Sequence, residues 1–274
     1  MNRAAKGPEL VVFDLDGTLT PSKAPMDGEM ARLFVRLLSV KKVAVIGGGR
    51  WSLFREQLVT PLLRALRGDG AAAARHRRAI LANLSLFPTT STALYRYDRG
   101  WKNVYTLALP KRTRREIKKA FREVFREAGY LHPEKTYGPV IEDRGTQVTF
   151  SALGQDAVAV LGKRGVRLKE EWKKNNTPLK LRMAKMLAAR LPGLEVHAAG
   201  FTSIDVTRKG IDKAYGVRQI ERRLRVPIRK MLFVGDALFP GGNDYAARRT
   251  GVRCIAVRGP EDTKAIVRRL IAAR

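Results

Sequence analysis

The run Phe13-Asp14-Leu15-Asp16-Gly17-Thr18-Leu19-Thr20 carries the strongest chemical signal in the chain. Carboxylates at i and i+2 project to one side of an extended strand end, or clamp a cation where the chain turns. An Asp-x-Asp-Gly phrase also occurs in turns and in calcium loops, where Asp and Gly supply ligands and a sharp bend. A calcium loop requires Glu at its twelfth position. Counted from Asp14 that position is Pro25, and the calcium reading fails there. A second acidic stretch runs from Gly235-Asp236 to Asn243-Asp244. His76, His132 and His197 are far apart and lack metal-ligand spacing, so they read as surface or packed residues. The single cysteine, Cys254, excludes an internal disulfide and a cysteine-based zinc site, and its apolar surroundings predict a buried, inert thiol.

Four short continuous apolar runs predict buried parallel strands: Leu10–Phe13, Val43–Ile46, Met231–Val234 and Cys254–Val257. The first three end in Asp14-Leu15-Asp16-Gly17, Gly47-Gly48-Gly49 and Gly235-Asp236. Helical stripes separate them, such as Met30, Leu33, Phe34, Leu37 and Leu38, and later Val217, Ile220 and Leu224. Strand, loop and helix in alternation predict an α/β fold, a doubly wound parallel-sheet core. Ligands bind such cores at the carboxyl ends of the strands, where the chemically suggestive loops fall.

The middle of the chain follows another pattern. Thr146–Ala152 and Thr202–Thr207 alternate apolar with polar residues, which predicts antiparallel strands with one dry face and one wet face. Leu94–Tyr97 and Val104–Leu107, joined through Asp98-Arg99-Gly100, read as a hairpin. With helices over Lys111–Ala128 and Pro178–Arg190, they define an inserted α+β cap. It is placed at 85–207, between core segments 1–84 and 208–274. The Ala-, Gly- and Arg-rich run Gly68–Arg78 reads as a weak helix or loop before it.

The phrase around Asp14 and Asp16 resembles motif I of the haloacid dehalogenase superfamily of phosphotransferases. Gly235–Asp244 resembles its acidic motif IV, in the form with Pro240-Gly241-Gly242 inserted that is similar to eukaryotic-type phosphomannomutases. Lys213 corresponds to the motif III lysine, and the large insertion before it is that of subclass IIB. The resemblance implies an Mg²⁺-dependent enzyme whose nucleophile is Asp14, forming a phosphoaspartate, with Asp16 as general acid and then general base. It implies metal ligation by Asp14 and Asp236, by the backbone carbonyl of Asp16, and by Asp244 directly or through a water. Lys213 would supply charge to a phosphoryl oxygen, with Thr18 and the amides around Gly17 and Gly48 cradling the group. The superfamily's motif II hydroxyl is missing. Gly47-Gly48-Gly49-Arg50 leaves the task to backbone N–H groups and Arg50, at a cost of about 1 kcal/mol.

For substrate, the wet faces offer Gln147, Thr149, Ser151, Ser203 and Asp205, a floor of polar groups suited to vicinal sugar hydroxyls. By the resemblance, Ser203 and Asp205 match sugar-binding positions and Arg144 a phosphate-binding arginine. Tyr137, Lys23 and Gln155 stand where that family carries further arginines. A mutase grips phosphate at both ends of a bisphosphate intermediate, and losing bidentate arginines weakens that grip. The expected function is therefore a sugar-phosphate phosphatase, with a hexose-phosphate mutase as the alternative.

The chain holds 54 Lys and Arg against 25 Asp and Glu, a formal +29. Such a surplus permits nonspecific adhesion to nucleic acid, but no zinc finger or RNA-recognition signature accompanies it. The helix over 111–128 predicts instead a solvated basic face of Arg114, Arg115, Lys118, Lys119 and Arg122. Specific nucleic-acid binding is thus the weaker, non-enzymatic alternative. No apolar run reaches the ~20 residues of a membrane span, and Met1–Lys6 leads into too short a run for a signal peptide, so a cytoplasmic location is expected. A homodimer through the cap follows from the resemblance alone.

Overall fold

The computed structural model describes residues 7–273; the N-terminal segment Met1–Lys6 lies outside the described residues. The chain divides into two compact units, one made of the residues up to Tyr105 and from Asp212 onward, the other Thr106–Ile211. Among the described residues no helix is long and apolar enough to cross a membrane.

The first unit is built on strands β1 (Leu10–Asp14), β2 (Lys42–Ile46), β3 (Leu84–Phe87), β4 (Ala93–Tyr97) and β5 (Trp101–Thr106). The second contributes β6 (Ile141–Asp143), β7 (Val148–Ser151), β8 (Leu194–Ala199) and β9 (Ser203–Arg208), after which β10 (Met231–Gly235) and β11 (Arg253–Ala256) return to the first. The seven-stranded sheet runs β11-β10-β1-β2-β3-β4-β5. It is parallel from β11 through β3, and β4 runs antiparallel to β3. The central runs are apolar at every position because both sheet faces are covered. On one face Val11, Phe13, Val43, Val45, Leu232 and Val234 pack against Met30, Phe34 and Leu37 of the helix Gly28–Leu38. On the other, Leu10, Val12, Ala44, Ile46 and Phe233 pack against Val217 and Ile220 of the helix Lys213–Leu224. Each of these side chains larger than Ala44, fully buried, contributes about 1.5–3 kcal/mol.

Three expectations for this unit are corrected. The insertion begins at Thr106, not 85, because β3 pairs with β2 and the hairpin β4–β5 extends the same sheet. The strand β11 is an exposed edge, and Cys254 on it is half-buried, its thiol pushed up by burial. The run after Gly68 forms a full helix, Gly70–Ala82, anchored by Ile80 and Leu81.

The inserted unit is a four-stranded antiparallel sheet, ordered β6-β7-β9-β8. Its apolar face, Val148, Phe150, Ile204 and Val206, packs on Ile117, Phe121, Val124 and Phe125 of the helix Lys111–Glu127 and on Trp172, Met183 and Leu187 of the helix Lys163–Arg190. That second helix runs straight through Pro178, where a start was expected. The Asn176 and Thr177 side chains donate to the carbonyls of Trp172 and Lys173 in the turn before the proline. On the first helix Arg115, Lys119 and Arg122 face water, but Arg114 and Lys118 clasp Asp143 at 2.9 Å each.

The helix Lys213–Leu224 ends at Arg225 in a left-handed conformation, φ 53° and ψ 38°, on an exposed residue. A side chain pays roughly 1–2 kcal/mol for that conformation, and glycine does not. Arg225→Gly is expected to raise unfolding stability by about 1 kcal/mol, read by urea denaturation.

Candidate active site

Parallel register places the acidic loops at one edge. Phe13 pairs with Val234, so Asp14 ends β1 beside Gly235, and Asp236 follows directly. Asp244 is returned to the same place by the loop Ala237–Asn243, which closes through Gly242 N–H to the Phe239 carbonyl at 2.9 Å and turns at Gly241, φ +85°. One carboxylate oxygen from each of Asp14, Asp236 and Asp244 lies within 4.8 Å of the other two. Lys213 enters from the first turn of its helix, whose start is fixed by the Asp212 side chain accepting from the Tyr215 N–H at 2.8 Å. Its buried ammonium donates to Asp14 at 2.5 Å and to Asp244. The Ala237 N–H donates to Asp244 at 2.9 Å, and the Thr18 hydroxyl to Asp236 at 3.4 Å. Close approach is built in at Gly235, where a Cβ would stand 2.4 Å from an Asp244 oxygen.

Three carboxylates against one ammonium leave, when all are ionised, the charge that one divalent cation cancels. The oxygen-only set suits a hard cation such as Mg²⁺. Burial holds the Asp14 carboxyl well above the ordinary range; Lys213 draws it down, while Asp244 and Asp236 push it up. Asp236 is pushed up to about 6, by burial and by Asp244, against the pull of Lys213. Burial would lower the Lys213 ammonium, but Asp14 and Asp244 more than offset it and hold it above its usual range.

A carboxyl whose folded pKa is raised binds its proton more tightly in the folded chain. Its contribution is intact below about pH 4 and is lost as pH rises through the folded value. Chelator-treated protein is therefore expected to lose up to about 3 kcal/mol through Asp236 alone on going from acid to neutral pH. Denaturation series on wild type and Asp236→Asn check this: the variant should show the shallower decline.

Asp16 is not brought into the carboxylate group. It is half-buried, and its Oδ1 accepts from the Lys23 N–H at 2.5 Å and from Gln57 Nε2 at 2.9 Å. Gly48 is half-buried in the loop after β2, and Arg50 beside it is exposed. Sequence reasoning missed two features here. Gln57 is one. The other is Thr89-Thr90-Ser91 after β3, three successive residues in left-handed backbone (φ 48°, 55° and 70°) whose amides at Thr89 and Thr90 donate to the carbonyls of Gly49 and Gly47. Strained backbone of this kind clusters at functional sites. It puts hydroxyl-bearing residues against the glycine loop that lacks one.

Arg144, Ser203 and Asp205 belong to the inserted unit. The polar strand face there is not wet: Gln147, Thr149, Ser151, Ser203 and Asp205 are buried. Gln147, Thr149 and Asp205 form a ladder in which Gln147 Nε2 donates to Thr149 at 2.8 Å and the Thr149 hydroxyl to Asp205 at 2.7 Å. Arg144, directly after β6, has a buried side chain whose guanidinium sits on Glu142 at 2.6 Å and on Gln155 Oε1 at 3.0 Å.

The similarities to known proteins mark the chain as a haloacid dehalogenase-type enzyme, a phosphomutase or a phosphatase. The sequence profile described as eukaryotic phosphomannomutase matches residues 103–273, and the chain belongs to that family. Phosphomannomutase of Spinacia oleracea is 27% identical over 268 residues, covering 95% of this chain and 94% of the relative. Human phosphomannomutase 1 is 26% identical, covering 86% and 81%. Among solved structures, an IMP-nucleotidase of Plasmodium falciparum shares the fold with a TM-score of 0.68 at 17% identity, covering 98% of this chain and 69% of that one. Trehalose-6-phosphate phosphatase of Aspergillus fumigatus does so at 0.51 and 16% identity, covering 96% and 92%.

Proposed function

We propose that the protein is an Mg²⁺-dependent phosphotransferase acting on a sugar phosphate through a phosphoaspartate, and that it works chiefly as a phosphatase. The observation that carries this is the convergence of Asp14, Asp236 and Asp244 on one buried point with Lys213. Bound there by those three carboxylates, Mg²⁺ would screen the repulsion between a phosphate dianion and a carboxylate nucleophile. Asp14 attacks phosphorus, the bond to the sugar oxygen breaks, and Asp16 delivers the proton that oxygen needs. Asp16 next takes a proton from the acceptor, water in a phosphatase, as the acyl phosphate is cleaved. Lys213 compensates charge on the transferring group.

The phosphatase reading is favoured over the mutase by Arg144. A residue that grips a second phosphate must offer its guanidinium, and here Glu142 and Gln155 hold it. Family membership and the phosphomannomutases matched over nearly their full length favour the mutase instead. Product analysis decides. Mannose 1-phosphate and a panel of hexose phosphates, supplied with Mg²⁺, should release inorganic phosphate; conversion to the 6-phosphate isomer without release would overturn the phosphatase reading. No turnover of any phosphomonoester would overturn both.

A further inference from the structure

Gln57 is a buried amide with no part in the chemistry above. It lies in Arg55-Glu56-Gln57-Leu58-Val59, which winds as a π-helical turn between the short helix Trp51–Phe54 and the helix Thr60–Ala65. Phe54, Leu58 and Leu62 of this stretch are buried in the core, and the wider turn lets a polar side chain share that buried side. Such turns are rare and are frequently found at functional sites. Gln57 is 1% exposed. Its Nε2 donates to Asp16 Oδ1 at 2.9 Å, with longer contacts of 3.4 Å to the Thr20 hydroxyl and the Ala24 carbonyl. Its own carbonyl accepts from the Met26 N–H at 2.8 Å, fastening the loop after motif I to this turn. Its Oε1 is buried with no partner among the described residues. A bare buried acceptor costs stability that an apolar side chain of the same size would not incur, so the amide is kept for what its N–H does.

We propose that Gln57 is a positioning residue for the acid–base carboxylate Asp16. Two N–H groups, from the Lys23 backbone and the Gln57 side chain, occupy Asp16 Oδ1. The other oxygen, Oδ2, is then the one that carries the proton and faces the leaving group. When the P–O bond breaks, its electron pair stays on the sugar oxygen, and that oxygen takes the proton from Oδ2. Without the amide the carboxyl can rotate, and protonated and bare oxygens exchange places.

The inference rests on Asp14 as nucleophile and Asp16 as general acid, and its test separates the two. Two substrates differ in their need for the proton: p-nitrophenyl phosphate, whose leaving group is stable as an anion, and mannose 1-phosphate or the hexose phosphate that the panel shows to turn over fastest. Gln57→Met keeps the volume and removes the donor. It is expected to lower kcat/KM for the sugar phosphate by about 30- to 100-fold and for the aryl phosphate by no more than about threefold. In an Asp16→Asn background the same substitution should change neither further. Should Gln57→Met not fold, Gln57→Asn, whose amide is one methylene too short, is expected to give the same split. An equal fall for both substrates, or a fall that persists beside Asp16→Asn, would mean that Gln57 is structural and would overturn the inference. Turnover that survives Asp14→Asn removes the underlying reaction instead.

Discussion

Asp14→Asn is expected to lower phosphate release by about 10⁴-fold or more, in line with the loss of a nucleophile from machinery that acts as a unit. The side chain sits at the end of β1 on Lys213, 4% exposed, and the amide that replaces it has nearly the same shape. The loss is therefore chemical: Lys213 keeps Asp244 as its counterion, so the variant should still fold, which its denaturant unfolding curve checks. Initial rates with p-nitrophenyl phosphate and Mg²⁺ measure it. Salt-sensitive adhesion to polyanions, which the formal +29 supports, should be untouched by the same change. Retained turnover would remove Asp14 from the reaction.

Lys213→Met carries the second large effect, and it acts on stability as well as rate. The ammonium is buried between Asp14 and Asp244, and methionine leaves three close carboxylates with no cation. Removing one member of a buried ion pair costs about 3–5 kcal/mol because a bare charge remains. That loss should be largest in chelator at neutral pH and shrink when Mg²⁺ is added or when the pH is lowered to 5, where Asp236, pushed up to about 6, takes up a proton. The rate should fall by about 10²- to 10³-fold, as when one stabilising donor is taken from a transition state. Urea denaturation with and without Mg²⁺, beside steady-state rates, separates the two effects. A loss of stability indifferent to both Mg²⁺ and pH would contradict the charge argument.

What could be read from the residues followed from burial. Strands covered on both faces must be apolar throughout, so β1, β2 and β10 announced themselves, and with them the edge that holds Asp14 and Asp236. The misreading of the inserted sheet has a clear cause: period-two alternation reports that two faces differ in polarity, without saying what covers them. The face bearing Thr149 and Asp205 thus read as wet although it is a buried hydrogen-bonded ladder. The hairpin β4–β5 likewise carried no mark of which sheet it joins; β3 supplies that by pairing with Tyr95 and Arg96. Gln57 was hidden because a helical glutamine ordinarily faces solvent, and the π turn that brings it inward leaves no trace in composition. Thr89 and Thr90 stayed silent because β-branched residues disfavour the left-handed backbone they adopt here.

The central claim is tested most directly by mixing the protein with Mg²⁺ and a phosphomonoester, quenching in acid during turnover, and mapping the phosphoryl group by peptide mass spectrometry. The account predicts an alkali-labile phosphate on the peptide that contains Asp14, absent from Asp14→Asn. A phosphate on any other residue, or turnover by wild type with none trapped on Asp14, would contradict it.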